Sequence, residues 1–190
     1  MDTSNVHRKR CRRYDIDGHA HYLTFSCFRR QPFLLDGRVP LSFLECVAEA
    51  RRECRFALWA WVIMPEHVHL LIWPAGGSRI SDILWRIKRR MAYRVLSHLA
   101  EADPTFIEER MTDRQPNGKV ARRFWQRGGG YDRNIVSVGQ AREKIEYIHA
   151  NPVRRGLVTH PSHWRWSSWR AWTEGADDPL AVDRETLPTH

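Results

Sequence analysis

The stretch that most constrains this chain runs from Phe56 to Trp73, FALWAWVIMPEHVHLLIW. Phe56 to Ile63 is a continuous apolar run, too short for a stable helix and crowded with aromatic residues. A run of that length and composition reads as a buried strand. Met64-Pro65-Glu66 interrupts it, and His67 to Trp73 reads as a second strand, so the two form a hairpin. Side chains alternate along a strand, so His67 and His69 share one face. Val68, Leu70 and Ile72 share the other, which suits packing against helices.

The neighbouring segments supply the rest of the pattern. His19 to Phe28 (HAHYLTFSCF) is rich in β-branched and aromatic residues and reads as a strand. Gln31-Pro32-Phe33 and Asp36-Gly37 punctuate a loop. Leu41 to Cys54 carries Leu44, Val47 and Ala48 at helical spacing. Ser78 is the predicted N-cap of a helix running to about Ala100. Asp103 to Arg123 reads as an irregular insertion. Phe124-Trp125-Gln126 is the predicted last strand, ending at Gly128-Gly129-Gly130. Gly139 to Asn151 is the predicted final helix, stopped by Pro152. The order β-α-β-β-α-β-α predicts an α+β chain: a ferredoxin-like βαββαβ antiparallel sheet with an added C-terminal helix. The glycine run reads as a tight turn or as a hinge for that helix.

Charge narrows the function classes. The 190 residues carry 31 Lys and Arg against 22 Asp and Glu, a formal net charge of +9. That surplus points to a polyanionic partner. It is uneven: residues 1–13 form a basic arm, 14–172 the body, and 173–190 an acidic tail. The two ends read either as solvated and frayed or as an arm that touches phosphates and a tail that competes with them. No run of 18 apolar residues occurs, so no membrane span is expected, and the first ten residues show no secretory pattern. Cys11, Cys27, Cys46 and Cys54 form no C-x-x-C pair and are expected to be reduced thiols in a cytoplasmic protein.

Two spacings carry chemistry. Two imidazoles about 7 Å apart along one strand face, as for His67 and His69, can converge on one metal ion. The same pair also suits a polar sheet face without an ion. Tyr147 and Asn151, four residues apart, lie on one face of the last helix. A phenol can attack phosphorus if a cation assists it, and an amide oxygen is a hard ligand for Mg²⁺ or Mn²⁺. A core tyrosine and a helix-stopping asparagine fit that spacing equally.

Four segments then combine. Val62 to Ile72 (VIMPEHVHLLI) resembles the MP-x-HVHLL stretch of single-tyrosine HUH transposases. Phe124-Trp125-Gln126 and Tyr131-Asp132-Arg133 resemble their next patch. Glu143 to Val158 (EKIEYIHANPVRRGLV) resembles the YIH-x-NPV-x-x-GLV of the branch called REP-associated tyrosine transposases, and Trp166 to Arg170 (WSSWR) resembles its closing W-S-S segment. The resemblance covers about residues 14–172. It implies a ferredoxin-like nuclease domain that cleaves and rejoins single-stranded DNA beside palindromic hairpins; monomer and homodimer both stay open. It implies that His67, His69 and Asn151 bind a divalent metal, Mg²⁺ or Mn²⁺, and that Tyr147 attacks the phosphate, leaving a 5′-phosphotyrosine. Candidate DNA contacts are Lys88, Arg89, Arg90 and Arg94 on the long helix, with Arg165 and Arg170 near the C-terminus. Trp164, Trp166, Trp169 and Trp172 are candidates for base stacking. Tyr131 is the rival nucleophile. Two other readings compete: a non-catalytic basic domain binding structured single-stranded DNA or RNA, and a metal-dependent hydrolase that uses water in place of Tyr147.

Overall fold

The computed structural model describes residues 14–74, 76–176 and 179–188. The basic arm, residues 1–13, lies outside the described residues, as do Asp177 and Asp178. The elements are β1 (Ala20–Ser26), α1 (Val39–Cys54), β2 (Phe56–Ile63), β3 (His67–Pro74), α2 (Ile80–Ala102), the single turn α3 (Pro104–Phe106), β4 (Thr112–Arg114), β5 (Val120–Arg122), β6 (Tyr131–Ile135), α4 (Val138–Arg154) and the short α5 (Trp169–Thr173). Four strands form one sheet in the order β2-β3-β1-β6, every neighbouring pair antiparallel. This is the expected α+β arrangement with a split β-α-β topology.

Alternation divides the sheet between two cores. Leu23 and Phe25 of β1 and Val68, Leu70 and Ile72 of β3 pack with Phe43, Val47, Ile83, Ile87 and Met91 of α1 and α2. On the opposite face, Tyr22, Val62 and Leu71 pack with Ala141, Ile145 and Ile148 of α4. The added helix therefore covers the face on which His67 and His69 project. A register shift between Leu58 and Ala60 turns Trp59 and Ala60 to the α4 face together.

Several boundaries differ from expectation. The fourth strand is Tyr131–Ile135, after the glycine run, and Phe124-Trp125-Gln126 makes only an isolated bridge to Cys27. Phe124 and Trp125 are core anchors, and the Trp125 indole donates to the Lys88 carbonyl at 3.1 Å. Ser78 does not cap α2. Its hydroxyl donates to the Cys54 carbonyl, and the Asp15 carboxylate accepts from the Ile80 N–H at 3.1 Å. The insertion holds the β4–β5 hairpin. Pro152 does not stop α4. The helix runs to Arg154 and closes through Arg155 N–H to Asn151 and Leu157 N–H to Pro152, with Gly156 in the left-handed region.

The acidic tail is no frayed end where it is described. Val182 and Leu187 are buried, one in each core. Asp183 lies against the outer edge of β2: its N–H donates to Leu58 O at 2.9 Å, its carboxylate accepts from Leu58 N–H at 2.8 Å, and Arg51 pairs with it. Farther along β2, Ser167 and Ser168 hold the same edge through a bridge to Val62 and bonds to Trp61. Two stretches of the C-terminal region thus cover an edge that would otherwise offer unpaired backbone groups.

Candidate active site

His67 and His69 sit on the α4 face of β3, buried beneath that helix. Their Nε2 atoms lie 3.0 Å apart. Two imidazole nitrogens bound at right angles to one ion, each about 2.1 Å from it, stand about 3.0 Å apart. The pair therefore fits a divalent cation. Among the described residues no cluster of three His, Cys, Asp or Glu suited to a metal occurs. Each ring is also oriented from its other nitrogen. His67 Nδ1 faces Glu66 Oε1 at 3.0 Å, and His69 Nδ1 lies 2.7 Å from both Tyr22 Oη and Thr24 Oγ1. With Nδ1–H donating outward, both Nε2 lone pairs point inward. Burial holds both imidazoles neutral: it pushes His69 down to about 3, aided by His67, and pulls His67 down despite the opposing Glu66 charge.

Glu66 is the centre of a second layer. Its Oε1 also meets Arg30 Nη2 at 3.2 Å and Arg155 Nη2 at 3.1 Å. Arg155 caps the end of α4. One carboxylate therefore ties the His67 strand to the helix that carries Tyr147. Burial alone would raise the Glu66 pKa, but His67, its own backbone N–H and Arg155 outweigh it and hold the carboxyl below its usual range.

Tyr147 and Asn151 lie one turn apart on α4, and α4 packs against β2 and β3. The Tyr147 ring centre is 5.9 Å from that of His69 and 6.1 Å from that of Tyr22. Two cations flank the ring: Arg154 Cζ at 5.0 Å from its centre and Lys144 Nζ at 5.5 Å. Asn151 is buried. Tyr22, Thr24, His69, Tyr131, Arg133, Lys144 and Tyr147 line one cleft of about 370 Å³. Tyr131 is thus brought to the same place as Tyr147, its ring 6.1 Å from Tyr22. Tyr22 itself stays protonated, since burial, followed by its tyrosine neighbours, pushes it up to about 12.

The other candidates separate. Arg90 pairs with Glu49 and Glu53, and Arg94 with Glu45 and Glu49, so both staple α2 to α1 with their charge neutralised. Lys88 Nζ donates to Gly128 O at 2.7 Å. Arg89 is exposed and lies over the Trp85 ring. Arg165 lies over Trp166, and Arg170 pairs with Glu174. Three of the four C-terminal tryptophans serve the fold: Trp164 donates to Ile63 O, Trp172 donates to Trp59 O, and Trp166 packs against the core, whereas the Trp169 ring meets His160 edge-on. Trp85, at 56% exposure, is the open indole that the sequence pattern did not single out. Glu66, Tyr22 and Thr24 were also missed. The period-two pairing of β1 with β3 is the signal that could have placed the last two beside His69.

Comparison with known proteins joins these observations. A family profile described as "Transposase IS200 like" matches residues 16–151, a span that contains His67, His69, Tyr147 and Asn151. The REP-associated tyrosine transposase of Escherichia coli (strain K12) is 27% identical over 160 residues, 83% of this chain and 81% of that protein. A solved structure of a REP-associated tyrosine transposase bound to a REP hairpin is similar with a TM-score of 0.65 at 24% identity, covering 93% of each chain, and supports the fold. No described helix is long and apolar enough to cross a membrane. With its four-stranded sheet, its paired histidines and most of its tyrosine helix inside the matched span, the chain belongs to the IS200-like transposase family.

Proposed function

We propose that this protein cleaves and rejoins single-stranded DNA beside hairpins, with Tyr147 as nucleophile. The observation that carries the reading is the 3.0 Å approach of the His67 and His69 Nε2 atoms beside the Tyr147 ring. Its substrate class follows from the net charge of +9 and from the hairpin DNA bound by the structurally similar transposase. His67, His69 and Asn151 would hold Mg²⁺ or Mn²⁺, which when bound supplies Lewis-acid polarisation of the scissile phosphate.

The chain's own groups do the rest. Glu66, Tyr22 and Thr24 fix the two imidazoles. Tyr147 Oη gives up its proton and attacks phosphorus. The bond from phosphorus to the 3′-oxygen breaks, and that oxygen takes up a proton and leaves as a 3′-hydroxyl. The new bond joins Tyr147 to the 5′-phosphate, so an incoming 3′-hydroxyl can reverse the step without an external energy source. Lys144 and Arg154 offset the charge that builds on the tyrosine and phosphate oxygens.

The test is incubation of hairpin-flanked single-stranded oligonucleotides with protein and Mn²⁺. Wild type should cut them, and His67→Ala or His69→Ala should lose cutting and weaken Mn²⁺ binding while the fold survives. Tyr147→Phe should bind the oligonucleotide and leave it intact. Wild-type-rate cleavage by either histidine variant would reject the metal assignment. Binding without cleavage by the wild type would favour the non-catalytic binding domain.

A further inference from the structure

We infer that a groove between α2 and the 122–129 segment is a second contact surface for the same DNA, one that takes unpaired nucleotides by stacking on Trp85. The inference rests on the nucleic-acid reading above and extends the path of the strand beyond the cleft. The groove is lined by Trp85, Lys88, Arg89, Arg122, Arg123 and Arg127, and no Asp or Glu is among its lining residues. Two carboxylates border it among the described residues: Asp113 accepts from Arg123 Nε at 2.5 Å and pairs with Arg127 Nη2 at 2.9 Å, and Asp82 Oδ1 accepts from the hydroxyl of the lining Ser81 at 3.3 Å. Five cations against two anions leave a positive channel, and Arg89 and Arg122 are both exposed. A concave surface of one charge sign concentrates an oppositely charged chain.

Trp85 gives that channel a second property. A half-exposed indole on a helix that buries Ile83, Leu84, Ile87 and Met91 is an uncovered flat surface. The Arg89 guanidinium lies 4.8 Å from its ring centre, and Tyr93, 73% exposed, continues the row two turns along. Planar apolar and cationic groups side by side match a base with its phosphate. A duplex keeps its base faces stacked on one another, so Trp85 selects unpaired nucleotides. An acidic peptide would satisfy the arginines and leave the indole uncovered.

The groove also adjoins the cleft. Gly128 and Gly129 line it, and Tyr131, two residues on, lines the Tyr147 cleft. Two residues span at most about 7 Å. Lys88 holds this glycine lip through Gly128 O, and Gly130 packs on β1, with Thr24 O 2.1 Å from the place a Cβ would occupy. A strand leaving the cleft over this lip enters the groove.

The experiment measures equilibrium binding of the full chain to two labelled oligonucleotides in EDTA, so that no strand is cut. One is a hairpin with a single-stranded flank, and the other is the same hairpin without it. Trp85→Ala should weaken binding of the flanked hairpin about tenfold, leave the blunt hairpin unchanged, and be partly rescued by Trp85→Phe. Arg122→Gln should lower the salt slope for the flanked hairpin by about one. Thermal unfolding of each variant at the wild-type temperature shows that the fold is intact. Equal affinity of Trp85→Ala and wild type for the flanked hairpin would overturn the proposal, as would an equal loss for both oligonucleotides. Polyglutamate bound in a Trp85-dependent way, with oligonucleotide binding indifferent to Trp85, would assign the groove to an acidic peptide and also overturn it. Failure of wild type to bind either oligonucleotide would reject the nucleic-acid reading itself, and the groove assignment with it.

Discussion

Gly130→Ala is the substitution whose cost the structure specifies most closely. Gly130 has φ +77, in the left-handed region, and an added Cβ would stand 2.1 Å from Thr24 O and 2.8 Å from Phe25 Cβ. A left-handed alanine costs roughly 1–2 kcal/mol. The contact with Thr24 O is the larger problem, because a backbone oxygen of a central strand cannot swing aside. The start of β6 has to retreat by about 1 Å to restore an ordinary carbon–oxygen separation near 3.3 Å. Tyr131 pairs with Thr24 at that point, so the retreat loosens the last rung of the β1–β6 ladder. One lost hydrogen bond adds about 1 kcal/mol. The sum is about 2–3 kcal/mol, or a fall in Tm of roughly 4–12 °C for a chain of this size. Gly128→Ala is the control. Its φ is +86 and nothing lies within 4 Å, so it should show the left-handed strain alone. Both changes reduce unfolded-state entropy alike, so their difference isolates the packing against β1. Urea unfolding of the two variants makes the comparison. Gly130→Ala no less stable than Gly128→Ala would refute the idea that the glycine run is a docking point on β1.

Three further outcomes are expected. Glu66→Gln should weaken Mn²⁺ binding about 10–100-fold in calorimetry without DNA, because His67 loses its carboxylate acceptor and Arg155 its ion pair. Unchanged affinity would leave Glu66 without a positioning role. Truncation after Ala176 should lower the unfolding midpoint and promote self-association in sedimentation, since it removes Val182, Leu187 and the Asp183 clasp from the edge of β2. A monomer of wild-type stability would contradict the edge-cover account. Thiol labelling at pH 8 should modify Cys54 before Cys27 and Cys46, which are buried and pushed up to about 12 and about 11 by desolvation, so their thiolates stay scarce until pH passes those values. Peptide mapping that found Cys27 modified first in the folded protein would contradict this.

The legible parts of the fold were those governed by local rules. β2 follows its apolar run from Phe56 to Ile63 because its limits are local: Arg55 takes a left-handed turn and the next strand begins after Pro65. The His67–His69 pair was readable because the strand period is two. β6 was hidden because YDRNI is a polar edge strand: its position depends on pairing with β1, and its own composition carries no apolar alternation. Phe124 and Trp125 drew the assignment instead, since buried aromatics in a loop resemble a strand in sequence. Asp15 at the start of α2 and Asp183 at the edge of β2 are long-range partners that no local pattern records. Arg90 and Arg94 looked like phosphate contacts until α1 presented Glu45, Glu49 and Glu53 on the facing side. Tyr131, the rival nucleophile in sequence, stays a rival in three dimensions, since β1–β6 pairing delivers it to the Tyr147 cleft.

The central claim is that Tyr147 forms the covalent link to DNA. The direct measurement is a denaturing gel and peptide mass analysis of protein incubated with Mn²⁺ and hairpin-flanked single-stranded DNA, comparing wild type, Tyr147→Phe and Tyr131→Phe. The account predicts a nucleotide-bearing peptide containing Tyr147 in wild type and Tyr131→Phe, and no adduct in Tyr147→Phe. An adduct that persists in Tyr147→Phe and disappears in Tyr131→Phe would contradict it and move the nucleophile to β6.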